Sequence, residues 1–295
     1  MKRAPTSGGE IAYVEEGEGP AVLLLHGFPT SSFLWRREIP LLASRMRVIA
    51  PDLLGYGRSD KPQRADLSMT AQAGYIRELL GALGIEEFAV VGHDLGGVVA
   101  QLLALEVGVR TLILLDAACF DVWPIEGVKM LQAAEPEQET AEFVEQIVRL
   151  SIDLGVSHKD RLDEQALAGY VEPWLADPPA FFRAARAIDG KGLAGRDDEL
   201  ARVEAPALLI WGEDDPYLPP ELAERLGDVL PGSTVALLPG CSHFVTEDAG
   251  PTVDQLIYEF LRLRYLGESH SHAHAGPVQV FLERPPPSGH ALEDE

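Results

Sequence analysis

Apolar and polar positions alternate along the first third of the chain in two rhythms. EIAYVEE alternates residue by residue, as a half-buried strand does, and AVLLLH is a continuous apolar run suited to a strand covered on both faces. SSFLWRREIPLLA then reads as a helix with Pro40 near its end, MRVIAPD as a strand and MTAQAGYIRELLGAL as a helix. FAVVGHD, LGGVVAQLLALEV and TLILLD continue as strand, helix, strand. Strands alternating with helices of this length predict βαβ units and a mostly parallel sheet flanked by helices, an α/β fold.

The rhythm breaks near Cys119. Residues 119–203 carry helical patterns interrupted by prolines and no convincing buried strand, which predicts an all-helical insertion, or cap. Alternation resumes over 204–266 with APALLIWG, PPELAERLGDVL, STVALLPG and GPTVDQLIYEFLRLRYL. Residues 1–118 and 204–266 are therefore expected to form one core, and the Gly-, Pro- and Ser-rich stretch 267–295 a flexible tail.

Composition narrows the functional classes. The chain has 295 residues, 46% hydrophobic and 24% charged, enough to bury a large core. Its formal net charge of −23 disfavours phosphate backbones and anionic membranes, so neither a nucleic acid nor a membrane is an expected partner. Two cysteines, Cys119 and Cys241, fit free thiols in a reducing compartment. No apolar run approaches the ~20 residues that span a bilayer, and the N-terminus lacks the apolar segment of a secretory signal. A soluble cytoplasmic protein acting on a small molecule is the expectation. Nothing implies a cofactor or a metal site, and the pattern leaves the oligomeric state open. The histidines of SHSHAHAG lack a scaffold that would define a metal site.

The candidate chemistry starts at VVGHDLGG. A strand enters Gly92-His93-Asp94-Leu95-Gly96 and a helix leaves it, the Gly-x-nucleophile-x-Gly spacing of a nucleophile elbow with aspartate at its centre. Glycines suit the crowded positions two residues either side, and the helix N-terminus favours negative charge. Asp94 could instead be a simple N-cap. Three other stretches argue for the elbow. The HGFP turn can aim the Phe28 N–H toward it, joining the N–H of Leu95 as an oxyanion hole. LLIWGEDDP ends a buried strand in acids, and His243 follows the last strand in GCSHF. Nucleophile, acid and histidine thus come in the chain order of an α/β-hydrolase triad, each at a strand's carboxyl end.

On HGFP, DLLGYGRSD, GHDLGG, WGEDDP and GCSHF the chain resembles the α/β-hydrolase family over roughly residues 10–265, in its aspartate-nucleophile branch. The resemblance implies Asp94 as nucleophile, His243 as base and Asp215 as the acid orienting it, with Asp214 and Asp116 as other candidates. It also implies a cis Phe28–Pro29 bond. Asp52, His26 and His93 read as structural.

A carboxylate nucleophile suits displacement at a saturated carbon, forming an alkyl ester that water then hydrolyses. Epoxide hydrolases and haloalkane dehalogenases are the members that use one. The tryptophan and asparagine that usually hold a departing halide are absent, since Leu95 and Phe28 stand there, and the helix after the elbow lacks the arginines of fluoroacetate-type enzymes. The epoxide reading is therefore placed first, on a small, largely apolar substrate, with a haloalkane dehalogenase as the alternative and a non-catalytic binding protein as the third. Epoxide opening usually draws on two cap tyrosines. The insertion offers Tyr170, with Phe182 at the place of the second, and Trp123, Trp174 and His158 as substitutes.

Overall fold

The computed structural model describes residues 1–268; the expected flexible tail, its first two residues apart, lies outside the described residues. Eight strands form one sheet: β1 Lys2–Thr6, β2 Gly9–Glu16, β3 Ala21–Leu25, β4 Arg47–Pro51, β5 Phe88–His93, β6 Thr111–Leu115, β7 Ala207–Gly212 and β8 Thr234–Leu238. Their spatial order is β1-β2-β4-β3-β5-β6-β7-β8. β2 pairs antiparallel with β1 and β4, and every other pairing is parallel. β3, β5, β6 and β7 are buried along their whole length, which is why their sequences run apolar without alternation.

The helices are α1 Glu38–Leu42, α2 Met69–Ala82, α3 Leu95–Glu106, α4 Glu126–Gln132, α5 Ala141–Leu154, α6 Glu164–Leu175, α7 Pro178–Arg186, α8 Asp197–Leu200, α9 Glu221–Val229, α10 Val245–Asp248 and α11 Gly250–Arg264. α4 to α8, with short 3₁₀ turns, fill the interval between β6 and β7, where the described residues contain no strand. No described helix is long and apolar enough to cross a membrane.

Two elements depart from the sequence reading. β1 was not anticipated: KRAPT carries two charges and Pro5, and such a strand is stable only at a sheet edge, where it sits. The helix expected over SSFLWRREIPLLA divides into a 3₁₀ turn, Ser32–Trp35, and α1. Ser31 caps the first piece by accepting the Phe33 N–H, and Asp52 anchors it by accepting the Ser32 N–H at 2.7 Å.

Candidate active site

The elbow between β5 and α3 holds Asp94 at φ 50°, ψ −120°, a strained conformation for a residue with a side chain. Crowding explains its glycines. A Cβ on Gly96 would lie 2.2 Å from the Leu25 carbonyl oxygen, and one on Gly92 would lie 2.5 Å from that of Gly96. Gly27 is equally constrained, because a Cβ there would sit 2.3 Å from Asp94 Oδ2. The sequence reading passed over Gly27, whose neighbour across the site is distant in sequence.

The HGFP turn approaches Asp94 from the end of β3. The Phe28 N–H donates to Asp94 Oδ2 at 2.8 Å, and the Leu95 N–H also hydrogen-bonds the carboxylate. His26 fixes the turn: its Nδ1–H donates to the Gly27 carbonyl at 2.9 Å while Nε2 accepts the Leu53 N–H at 3.0 Å. The Phe28–Pro29 bond is cis. Burial pushes the Asp94 carboxyl up to about 6, and the charge of His243 and the two N–H groups restrain the shift.

Asp215, Asp214 and Asp116 were the candidate acids. Asp215 is the one that meets His243, its Oδ2 accepting from Nδ1–H at 2.9 Å. Its Oδ1 accepts the N–H groups of Tyr217 at 2.8 Å and Leu218 at 3.0 Å, so both oxygens are committed. The Asp214 side chain is exposed. Asp116 is buried at the end of β6, where Oδ1 accepts the Gly212 N–H at 2.8 Å. Burial, reinforced by the nearby Asp215, holds the Asp116 carboxyl well above the usual range. Burial pulls the His243 imidazole down, but the charge and hydrogen bond of Asp215 and the charge of Asp94 outweigh it, so its net shift is upward. His93 supports the loop from below, donating from Nε2 to the His243 carbonyl at 3.0 Å.

Asp94 and His243 open onto a cavity of about 360 Å³. Of the side chains lining it, only Asp94, His243 and Tyr217 titrate, and none is a lysine or arginine. The rest are mainly apolar residues of the β6–α4 segment, α4 and α5.

The four cap residues proposed from sequence part company here. Trp123 lines the cavity, and its buried Nε1 has no hydrogen-bond partner. The other three are corrections. Tyr170 does not line it: its hydroxyl donates to the buried Glu247 carboxylate and accepts from Arg36 at 3.2 Å, while Arg36 pairs with Glu247 at 2.7 Å. Trp174 donates from Nε1 to the Pro29 carbonyl at 2.7 Å and packs beneath Phe28 and Phe181. His158 gives its backbone N–H to Asp248 at 2.7 Å, outside the cavity wall. A helical pattern says which residues share a face, and packing decides where that face turns.

Two features escaped the sequence altogether. Tyr217 packs edge-on against His243 with ring centroids 5.1 Å apart and donates its hydroxyl to the Ser151 carbonyl at 2.8 Å. Buried Asp248 accepts backbone N–H groups from Ser242 at 2.7 Å and from Ser157 at 2.9 Å, tying the histidine loop to the end of α5.

The family model described as "Alpha/beta hydrolase family" matches residues 22–255. "Haloalkane dehalogenase 2" of Mycobacterium tuberculosis (strain ATCC 25618 / H37Rv) is 31% identical over 267 residues, 86% of this chain and 92% of that one. "Fluoroacetate dehalogenase" of Burkholderia sp is 34% identical over 230 residues, 68% of this chain and 74% of its own. Among solved structures, an alpha/beta hydrolase fold protein from Burkholderia ambifaria superposes with a TM-score of 0.82 at 30% identity, covering 88% of this chain and 97% of that one. Fold and relatives agree, and the chain belongs to the α/β-hydrolase family as an enzyme similar to its dehalogenases.

Proposed function

We propose that this hydrolase displaces a leaving group from a saturated carbon through an alkyl ester on Asp94, and that the leaving group is a halide. The observation that carries the first part is the hydrogen bond from the Phe28 N–H to Asp94 Oδ2 at 2.8 Å. In a serine enzyme that donor waits for a substrate carbonyl. Here the nucleophile's own oxygen occupies it, which leaves Oδ1 to attack and makes Oδ2 the carbonyl oxygen of the ester.

The steps follow from these positions. Asp94 Oδ1 forms a bond to carbon as the halide departs with the bonding pair. Once Asp94 is an ester its charge is gone, and with it one of the influences that raise His243, so the imidazole is neutral at a lower pH than before. With Nδ1–H committed to Asp215, Nε2 is the basic atom. It takes a proton from water, whose oxygen attacks the Asp94 carbonyl carbon, and the Phe28 and Leu95 N–H groups receive the oxyanion on Oδ2. Collapse expels the alkoxide, which takes the His243 proton, and Asp94 returns its own proton to solvent.

The halide reading displaces the epoxide reading that stood first in the sequence. An opening epoxide needs an acid for its alkoxide, and the Tyr170 hydroxyl is committed to Glu247 outside the cavity. Tyr217, at the wall, already donates to Ser151. A halide needs only a donor that solvates it, and Trp123 Nε1 is buried at the cavity wall without a partner. The lack of a cationic side chain in the wall speaks for an uncharged substrate.

His243→Gln tests the proposal. Incubated with 1-bromobutane, the variant is expected to gain one butyl group on the peptide containing Asp94 and to release one equivalent of bromide. An adduct formed only from epoxides would restore the earlier reading, and none from either would remove the alkyl-enzyme mechanism.

A further inference from the structure

We propose that the substrate's carbon skeleton is an uncharged alkyl chain longer than the closed part of the cavity, and that its tail leaves along an apolar stripe of α5 ending at Leu150 and Leu154. This rests on the alkyl-transfer reading and adds what the substrate must look like away from the reacting carbon.

The stripe is an anomaly of α5. One apolar row, Val144, Val148 and Ile152, is fully buried, as a helix packed on a core requires. A second row, Phe143, Ile147, Leu150 and Leu154, lies along the cavity, and from Phe143 to Leu154 it runs about 16 Å at ~1.5 Å per residue. Its last members are exposed, Leu150 at 52% and Leu154 at 54%. Met130 on α4, also in the cavity wall, is exposed at 70%. Seven large apolar side chains are exposed among the described residues, and these are three of them. Residues that both line the cavity and face solvent mark its mouth. Apolar side chains gathered there cost solvation unless something apolar covers them during function.

The occupant argued for is the substrate itself, because the stripe is continuous with a wall whose titratable groups are the reacting pair and Tyr217. The net charge of −23 disfavours an anionic membrane as the alternative cover.

Binding of primary alcohols, which retain the chain but cannot alkylate Asp94, separates the tail site from the reaction. Tryptophan fluorescence titrations run from butanol to decanol on the wild type and on a Leu150→Ser/Leu154→Ser double variant. A methylene leaving water completely is worth about fourfold in affinity. One lying on an open stripe is covered on one side, so about twofold per methylene is expected. The double variant should lower the decanol-to-butanol affinity ratio about tenfold, and the bromodecane-to-bromobutane ratio of kcat/KM should fall in parallel. An unchanged alcohol ratio would overturn the proposal. So would a dimer, or binding to phosphatidylcholine vesicles, that the double variant abolishes while the alcohol ratio stays fixed, since the stripe would then serve a second copy or a lipid surface. Chain-length-dependent alcohol binding with no turnover of bromoalkanes would keep the tail site and remove the halide reaction. Turnover of bromobutane with a flat alcohol series would do the reverse.

Discussion

Asp94 carries two demands that pull against each other. Burial raises its carboxyl to about 6, yet in the proposed mechanism the attacking form is the anion. Alkylation should therefore be half-maximal near pH 6 and fall on the acid side, measured as bromide released in the first turnover. In that mechanism Asp215 acts mainly on the second half of the cycle, because it orients His243. Asp215→Asn should leave alkylation in place and slow ester hydrolysis by up to about 10⁴-fold, the cost of the matching change in a Ser-His-Asp triad. The alkyl-enzyme would then accumulate, visible by intact mass. At this scale the sequence was readable wherever the constraint is local. Gly92 and Gly96 announce the elbow by their spacing about Asp94, and a Cβ on Gly92 would strike the nearby Gly96 carbonyl, whereas the Leu25 carbonyl that constrains Gly96 itself lies far off in the chain. Choosing Asp215 over Asp214 required knowing which of two adjacent side chains turns inward. Excluding Asp116 required the Gly212 N–H that it accepts, almost a hundred residues further along the chain.

Elements of the cap meet the core through buried polar ties rather than apolar contact alone. Tyr170 on α6 joins Arg36 after β3 and Glu247 on α10, while Asp248 and Phe244, the latter donating to the Gly155 carbonyl at 2.8 Å, fasten the end of α5 to the histidine loop. Tyr170→Phe removes one donor from a buried carboxylate and should cost about 1–3 kcal/mol of stability, measured by denaturant unfolding. Its kcat with bromoalkanes should match that of the wild type, whereas an epoxide mechanism relying on Tyr170 would lose most of its rate. The alternation of strands and helices was legible because each buried strand is a continuous apolar run. β1 was not, since its stability comes from its place at the sheet edge, and neither was the inward face of α6. Both depend on partners that pattern does not name.

For the whole molecule, the sheet carries Asp94 and the cap supplies a mainly apolar wall that ends in exposed Met130, Leu150 and Leu154. Stability carries a separate pH signature at Glu38, which does not line the cavity. Glu38 on α1 is buried beside Asp254 on α11, and burial together with the Asp254 charge pushes its carboxyl up to about 8. The folded state thus prefers Glu38 protonated, while the unfolded chain ionises near the ordinary value of 4.5. Between those values the folded form holds more protons, so stability falls as pH rises. Glu38→Gln should make that decline shallower, leaving the part that buried Asp94 and Asp116 contribute. At pH 8 the variant should melt several degrees above the wild type, each ~1 kcal/mol being worth about 2–4 °C in a chain of this order of size.

In the proposed mechanism the product's new oxygen comes first from the enzyme. A single turnover of bromobutane in heavy-oxygen water measures this directly. Butanol should leave without the label, and the peptide containing Asp94 should gain one heavy oxygen. Labelled butanol with an unlabelled Asp94 would mean that water attacks carbon without an ester, and the mechanism built on this elbow would be wrong.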